Sequence, residues 1–180
     1  MQNYIFKDTS ENNKDLWIVL QDMSKTFDTI YIPTLSKAMR CIHLPEKFIS
    51  LITFLLTNCT NQVITEYGLT NKYNVRDGID QGETISPILW RIFYDPLISR
   101  IDIEHIGYNI KSRYPDKIQD IHTSVMAYMD DSVWITHNKR DLLNILDTAN
   151  SFYTLHNIQV NPQKSVFYTN SKSTDATITF

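Results

Sequence analysis

Residues 124–136, SVMAYMDDSVWIT, decide the fold prediction, because two apolar segments flank an adjacent pair of aspartates. Val125–Tyr128 and Val133–Thr136 have the composition of β-strands. Met129–Ser132 between them is short enough to form the tip of a hairpin. The sequence therefore predicts two antiparallel strands that carry Asp130 and Asp131 at their turn.

A second apolar run, Leu16–Gln21 (LWIVLQ), predicts a strand buried on both faces, and Asp22 follows it directly. Aspartate is common in turns and helix caps, so each acidic position also has an ordinary structural explanation. Adjacent carboxylates in an apolar hairpin repel each other, however, and a divalent cation would neutralise them. Mg²⁺ binds through one or two carboxylates together with substrate phosphates. We therefore predict that Asp22, Asp130 and Asp131 converge on two cations, roughly 3.5–4 Å apart, that clamp the oxygens of an in-line displacement.

The remaining elements mix helices and strands without the βαβ alternation of a doubly wound sheet. Helices are predicted from Pro33, Pro45 and Pro87, and an amphipathic helix over Asp141–His156. The second of these has an apolar face predicted to be buried, formed by Phe48, Ile49, Ile52, Leu55 and Leu56. Further predicted strands are Gln62–Thr65 paired with Tyr73–Arg76 across a Gly-Leu-Thr-Asn turn, Ile106–Lys111 before a polar connection around Pro115, and Val166–Thr169. The predicted fold class is α+β, an antiparallel sheet backed by helices.

Composition limits the class of protein. The 180 residues are 42% hydrophobic and 21% charged, which is typical of a globular domain. Seventeen basic and 20 acidic residues give a net charge of −3, which opposes nucleic-acid binding, since such surfaces are usually basic. Cys41, Cys59 and the five histidines lack metal-ligand or disulfide spacing. The sequence shows no signal peptide or membrane span, so we expect an intracellular protein, nuclear or cytoplasmic, that does not contact a membrane.

Four segments, in order, resemble the palm motifs of reverse transcriptases from non-LTR retrotransposons and group II introns. IVLQDMSKTFD resembles the first motif, apolar-Asp-x-x-Lys-Ala-Phe-Asp, and DGIDQGETISPILWRIFYDPL resembles the second, Gly-x-x-Gln-Gly-x-x-x-Ser-Pro before an apolar helix. AYMDDSVW is similar to the third, aromatic-x-Asp-Asp, and NIQVNPQKSVFY to the fourth, which ends in Asn-x-x-Lys. Asn157 stands where the family often has Gly, and Asn tolerates a left-handed conformation. The resemblance implies a reverse transcriptase palm domain over residues 16–170, between a polar, irregular N-terminal segment (1–15) and a polar C-terminal tail (171–180).

The resemblance also implies roles for individual residues. Asp22 and Asp130 would be the principal metal ligands, assisted by Asp131 and the carbonyl of Met23. Lys164 matches the lysine that would protonate the leaving pyrophosphate, although a lysine in a polar loop is by itself usually a solvated surface charge.

The nucleotide pocket is implied by three further matches. Phe27 occupies the position of a steric gate, where a ring blocks a ribose 2′-hydroxyl, although a core phenylalanine would show the same spacing. Gln81 and Gly82 would line the pocket, with Gly allowing close backbone approach. Their ordinary alternative is a turn before a helix.

The implied cofactors are two Mg²⁺ ions, with Mn²⁺ as an alternative, and the implied partners are an RNA template, a DNA primer and dNTPs. Few residues precede the first motif or follow the fourth, so we expect the fingers and thumb, or flanking polymerase modules, to be largely missing. Their basic residues would be missing too, which reconciles the acidic charge with a polymerase and predicts weak or no activity of the chain alone. The alternatives are a non-enzymatic remnant of a retrotransposon polymerase, an RNA-templated RNA polymerase, and another two-metal phosphotransferase such as a nuclease.

Overall fold

The computed structural model describes residues 2–75, 77–114, 117–172 and 178. The helices of this part of the chain are α1 (Gln2–Asn12), α2 (Ile32–Cys41), α3 (Glu46–Thr57), α4 (Ser86–Glu104) and α5 (Lys139–His156). Its strands are β1 (Trp17–Ser24), β2 (Thr60–Asn61), β3 (Ile64–Thr65), β4 (Gly68–Leu69), β5 (Tyr73–Asn74), β6 (Tyr108–Tyr114), β7 (Lys117–Thr123), β8 (Val125–Tyr128), β9 (Asp131–Thr136), β10 (Gln159–Val160) and β11 (Val166–Thr169). The chain divides into two compact units, Met1–Ser24 with Leu97–Phe180, and Lys25–Pro96.

The first unit is built on an antiparallel sheet whose strands run in the order β10, β1, β9, β8, with β11 also paired to β1. The predicted hairpin is present as β8 and β9, and the predicted buried strand is β1. The register between β1 and β9 runs from Trp17 opposite Thr136 to Asp22 opposite Asp131. The α+β prediction, an antiparallel sheet with helices, is confirmed.

One face of this sheet packs on α5. Side chains alternate along a strand, so Trp17, Val19 and Gln21 of β1 share a face, and all three are buried. The buried side of α5 is formed by Leu142, Ile145, Leu146, Ala149 and Tyr153. The C-cap of α5 is Asn157, which is left-handed with φ 55°, a conformation that Asn tolerates where the family often has Gly.

The opposite face of the sheet is partly covered by α1. Ile5 of α1 is buried in a cluster with Leu16, Ile18, Tyr108 and Ile135. The prediction that residues 1–15 are irregular is therefore wrong for Gln2–Asn12, which form a helix. This segment has few apolar residues, so its local sequence gave little sign that a sheet would stabilise it as a helix.

A polar network fixes α1 to the start of β6. The carboxylate of Asp8 accepts hydrogen bonds from the Tyr108 hydroxyl and the Lys14 ammonium, both at 2.8 Å. Burial acts to raise the pKa of Asp8, but the hydrogen bonds from Lys14 and Tyr108 outweigh it and hold that pKa below its ordinary value. Burial, together with the bond to Asp8, raises the pKa of the Tyr108 hydroxyl. The network therefore favours a charged carboxylate in a mostly buried position.

His137 packs beside this network, with its ring centroid 4.3 Å from that of Tyr108. Its Nε2 accepts a hydrogen bond of 2.9 Å from the backbone N–H of Asn109. Burial lowers the pKa of His137, and the nearby charge of Lys14 acts in the same direction. The imidazole is thus held neutral as an acceptor.

The prediction of a polar connection around Pro115 is wrong for residues 117–123, which form β7 and pair with β6. A strand as rich in polar residues as KIQDIHT gives a weak sequence signal. Pro115 itself lies outside the described residues, as do Arg76 and the greater part of the predicted tail 171–180.

In the second unit, α2 and α3 pack together. The Ser36 and Thr53 hydroxyls lie 2.9 Å apart between them, and Ile49 and Ile52 are buried. The predicted buried face is wrong for Phe48 and Leu55, which are 38% and 54% exposed. Helical periodicity identifies an apolar stripe, but the width of the neighbouring element determines how much of it is covered.

The predicted strand pair of this unit is also corrected. β2 pairs with β5, whereas β3 pairs with β4 at Gly68–Leu69, inside the stretch predicted as a turn. The chain reverses direction instead at the turn formed by Glu66 and Tyr67. Across the described residues, no helix has the length and apolar character needed to cross a membrane.

Candidate active site

The acidic residues of β1 and the β8–β9 hairpin are brought side by side by strand pairing. Asp22 lies directly opposite Asp131, so both side chains project from the same face of the sheet. The Met23 N–H donates a 3.2 Å hydrogen bond to the carbonyl of Asp130. The predicted adjacency of the strand ending at Asp22 and the aspartate hairpin is therefore observed.

Backbone contacts hold this region on both sides of β1. The carbonyl of Asp22 accepts a 2.8 Å hydrogen bond from the Asn161 N–H, next to β10. At the hairpin tip Met129 is left-handed, with φ 52°. This conformation costs roughly 1–2 kcal/mol for a residue with a Cβ. The tip is thus a tight turn, which places Asp130 and Asp131 at the end of the paired strands.

A cleft of about 350 Å³ opens on the carboxylate face of the sheet. Atoms of eleven residues line it: Leu20, Gln21, Asp22, Met126, Ala127, Tyr128, Asp131, Ser132, Val133, Lys164 and Val166. Lys164 Nζ lies 3.5 Å from Asp22 Oδ2, with the Lys164 side chain 67% exposed and that of Asp22 19% exposed. An ion pair this open to solvent contributes only about 0–1 kcal/mol, so Lys164 can exchange Asp22 for another anion at little cost.

The donor set of this face is suited to a hard cation. Asp22 and Asp131 offer carboxylate oxygens, the ligands that Mg²⁺ prefers, and Mg²⁺ commonly takes its other ligands from water and substrate phosphate. Within the described part of the chain, no group of three or more His, Cys, Asp or Glu side chains is arranged to hold a metal ion. The facing pair therefore fits the cation, whereas convergence of all three carboxylates stays a prediction.

The residues predicted for a nucleotide pocket belong to the second unit. Phe27 is half-buried with its ring centroid 6.3 Å from that of Trp90, and its carbonyl accepts a 2.9 Å hydrogen bond from the Ile79 N–H. Gln81 and Gly82 are exposed on the loop that follows. The structure thus attaches the loop carrying Gln81 and Gly82 to the segment carrying Phe27.

Two glycines shape that loop in different ways. Gly82 has φ 108°, which favours glycine, and a Cβ there would meet open space. Gly78 has φ 87°, and a Cβ there would lie 3.1 Å from the backbone of Phe27 and Asp28. At the loop's end the buried Ser86 hydroxyl donates a 2.7 Å hydrogen bond to the Asp80 carbonyl, where α4 begins. The Ser-Pro of the second motif therefore fixes the loop to the helix.

Sequence reasoning missed a buried glutamine behind the carboxylates. Gln21 is 3% exposed, and its Oε1 accepts hydrogen bonds from Trp134 Nε1 at 2.6 Å and the Tyr153 hydroxyl at 3.4 Å. A single polar residue inside the run LWIVLQ was the available signal, since a buried polar side chain requires partners.

Solved structures with the same fold include telomerases. The apo telomerase of Candida tropicalis truncated from its C-terminal domain aligns with a TM-score of 0.69 at 19% identity, over 98% of this chain and 35% of that one. The telomerase of Candida albicans, in complex with a TWJ fragment of telomeric RNA, aligns with a TM-score of 0.69 at 14% identity, over 99% and 30%. The sheet with its hairpin, backed by helices, is therefore the palm of a polymerase fold.

Sequence comparison identifies the family within that class. Residues 2–177 match the family described as reverse transcriptase (RNA-dependent DNA polymerase), and the chain belongs to it. A Retrovirus-related Pol polyprotein from type-1 retrotransposable element R2 of Popillia japonica is 26% identical over 147 residues, 82% of this chain and 23% of that protein. The corresponding polyprotein from type-2 element R2DM of Drosophila melanogaster is 21% identical over 89% of this chain and 14% of that protein. The chain thus spans less than a quarter of the length of these relatives.

Proposed function

We propose that this chain acts as the palm of an RNA-directed DNA polymerase, which adds dNTPs to the 3′ end of a DNA primer on an RNA template. The observation that carries the proposal is the register that sets Asp22 opposite Asp131 beside a cleft containing Lys164. Membership in the reverse transcriptase family and similarity to retrotransposon polyproteins support it. The telomerase bound to a telomeric RNA fragment supports RNA as a partner. We place this activity in the nucleus or cytoplasm, where RNA templates and dNTPs are present.

Four groups are proposed to hold the divalent cations: Asp22, Asp130, Asp131 and the carbonyl of Met23. Two Mg²⁺ ions, or Mn²⁺ in their place, supply charge neutralisation for the phosphates and for the oxygens of an in-line displacement. The protein's contribution is to hold the facing carboxylates of Asp22 and Asp131 on two paired strands, so that they need little reorganisation to bind.

Lys164 is proposed to serve the leaving group. Its ammonium lies 3.5 Å from Asp22 and its side chain lines the cleft. Movement of Nζ from the carboxylate to a departing pyrophosphate oxygen would neutralise that oxygen and deliver a proton to it. Because the exposed ion pair between Lys164 and Asp22 is weak, breaking it to contact the pyrophosphate would cost little stability.

Phe27, Gln81 and Gly82 are proposed to contact the incoming nucleotide. Phe27 would exclude a ribose 2′-hydroxyl and thereby favour dNTPs. The left-handed Gly82, with open space where a side chain would lie, allows a nucleotide to approach the backbone. Exclusion of the 2′-hydroxyl by Phe27 would distinguish a reverse transcriptase, which uses dNTPs, from an RNA-templated RNA polymerase, which uses rNTPs.

The test is primer extension by the 180-residue chain on an RNA template, at protein concentrations in excess of primer. With a net charge of −3 the chain should retain nucleic acid weakly, so we expect slow, Mg²⁺-dependent extension with dNTPs. Asp131→Asn should lower the rate by about 10²-fold or more, as expected for a group that stabilises developing charge. The control Asp102→Asn makes the same charge change at an exposed position of α4 and should leave the rate unchanged.

Two results would contradict the proposal. Measurable extension by the wild-type chain with an equal rate for Asp131→Asn would exclude catalysis by these carboxylates. Equal use of dNTPs and rNTPs, unaltered by Phe27→Ala, would favour the RNA polymerase alternative.

A further inference from the structure

We propose that Gln21 is a positioning residue that fixes the register of β1 against β9 and thereby keeps Asp22 opposite Asp131. This inference rests on the proposed function, because it concerns the same carboxylates. Gln21 precedes Asp22 on β1 and projects to the opposite face of the sheet, toward α5. It contacts neither substrate nor cation in this assignment and acts only through the strand.

The hydrogen bonds of Gln21 join three elements. Its Oε1 accepts the Trp134 indole N–H of β9 at 2.6 Å and the Tyr153 hydroxyl of α5 at 3.4 Å. All three side chains are at most 3% exposed. Water therefore cannot easily reach these groups, and a movement of β1 would take the Gln21 acceptor away from the Trp134 indole N–H.

The hydrogen bond from Trp134 adds directional specificity to the apolar contacts of this face, because its donor and acceptor must align. The direct cross-strand partner of Gln21 is Ser132, and Trp134 is its diagonal neighbour. A slip of one residue would exchange the two faces of β1 and remove Asp22 from Asp131. Apolar side chains such as Val19 and Met23 could repack after a small shift, whereas the bond from Trp134 to Gln21 could not form. Buried polar groups specify one arrangement in this way in other proteins.

The test compares Mn²⁺ binding, measured by electron paramagnetic resonance, in the wild type and in Gln21→Met, which keeps the volume but loses the acceptor. We expect the Mn²⁺ dissociation constant to rise about tenfold, the lower end of the effect seen when a group that orients metal ligands is removed. Trp134→Phe, which removes the indole N–H together with part of the buried ring, should raise the dissociation constant as well. The double variant should bind no more weakly than the weaker single variant, because both changes break one shared interaction.

Thr136→Val is the matched control. Thr136 is fully buried near the other end of β9, and its hydroxyl donates a 2.9 Å hydrogen bond to the Asn138 carbonyl. This variant also loses a buried hydrogen bond, so a change in Mn²⁺ affinity from general destabilisation would appear in it as well.

The outcomes separate the two proposals. Wild-type affinity in Gln21→Met, or an equal loss of affinity in Thr136→Val, would overturn the positioning role. If Gln21→Met does not fold, unchanged affinity in Trp134→Phe would overturn it equally. Wild-type binding no tighter than that of Asp131→Asn would instead overturn the assignment of the carboxylates to the cation.

Discussion

Replacing Asp131 with Asn should have opposite effects on stability with and without a divalent cation. Asp131 faces Asp22 directly across the paired strands, and like charges in that position destabilise a sheet by roughly 0.2–1 kcal/mol. Lys164 lies beside Asp22 and offsets part of this repulsion. Without cation, the substitution should therefore stabilise the protein by about 0.5 kcal/mol.

A bound cation should make the wild type more stable than Asp131→Asn. A ligand at about 100 times its dissociation constant stabilises the folded state by about 2.7 kcal/mol. If the substitution weakens binding about 100-fold, the same concentration stabilises the variant by only about 0.4 kcal/mol. The variant should then be less stable than the wild type by about 2 kcal/mol.

The assay is urea unfolding, followed by far-ultraviolet circular dichroism, in chelator and in saturating Mg²⁺. Asp102→Asn serves as the charge-matched control and should show the wild-type increment in Mg²⁺. Lower stability of Asp131→Asn in chelator, or equal stabilisation of both proteins by Mg²⁺, would refute the assignment of a repelling, cation-binding pair.

Three further predictions concern the contacts that support the sheet. Tyr108→Phe should lower the free energy of unfolding by about 1.5–3 kcal/mol, because the buried carboxylate of Asp8 loses a hydrogen bond. Urea unfolding measures this loss, with Tyr128→Phe as a control at an exposed position. Equal free energies of unfolding for the two variants would contradict the network. His137 has a folded-state pKa below its ordinary value of 6.5. Its contribution to stability is therefore complete above pH 6.5 and is lost as the pH falls toward the folded-state pKa. In unfolding curves from pH 7.5 to 5, His137→Gln should reduce this loss of stability, and an unchanged loss would exclude His137 as its source. Gly107→Ala should destabilise by about 1–3 kcal/mol or more, since its Cβ would overlap the Thr123 carbonyl, and a thermal midpoint equal to that of the wild type would refute the close approach.

The sequence was sufficient for features that depend on local pattern. The apolar run before Asp22 and the two segments around Asp130 predict strands because burial requires contiguous or alternating apolar side chains. The left-handed end of α5 at Asn157 was also predictable, because few residue types adopt that conformation. The ordered motifs indicated the family, which the comparison confirmed.

The sequence alone determined that the segments of β1, β8, β9 and β11 form strands and that Asp22, Asp130 and Asp131 lie in or next to them, whereas β10 was not predicted. Tertiary structure decided that Gln2–Asn12 is helical, since Ile5 and Asp8 are stabilised by side chains about a hundred residues away, as at Tyr108. It also decided the register that places Asp22 opposite Asp131 and the contact of Gln21 with Trp134. Periodicity indicates which face of a helix or strand is buried, but it does not indicate which distant side chains that face contacts. Contact partners and strand register are therefore fixed only when the elements pack together.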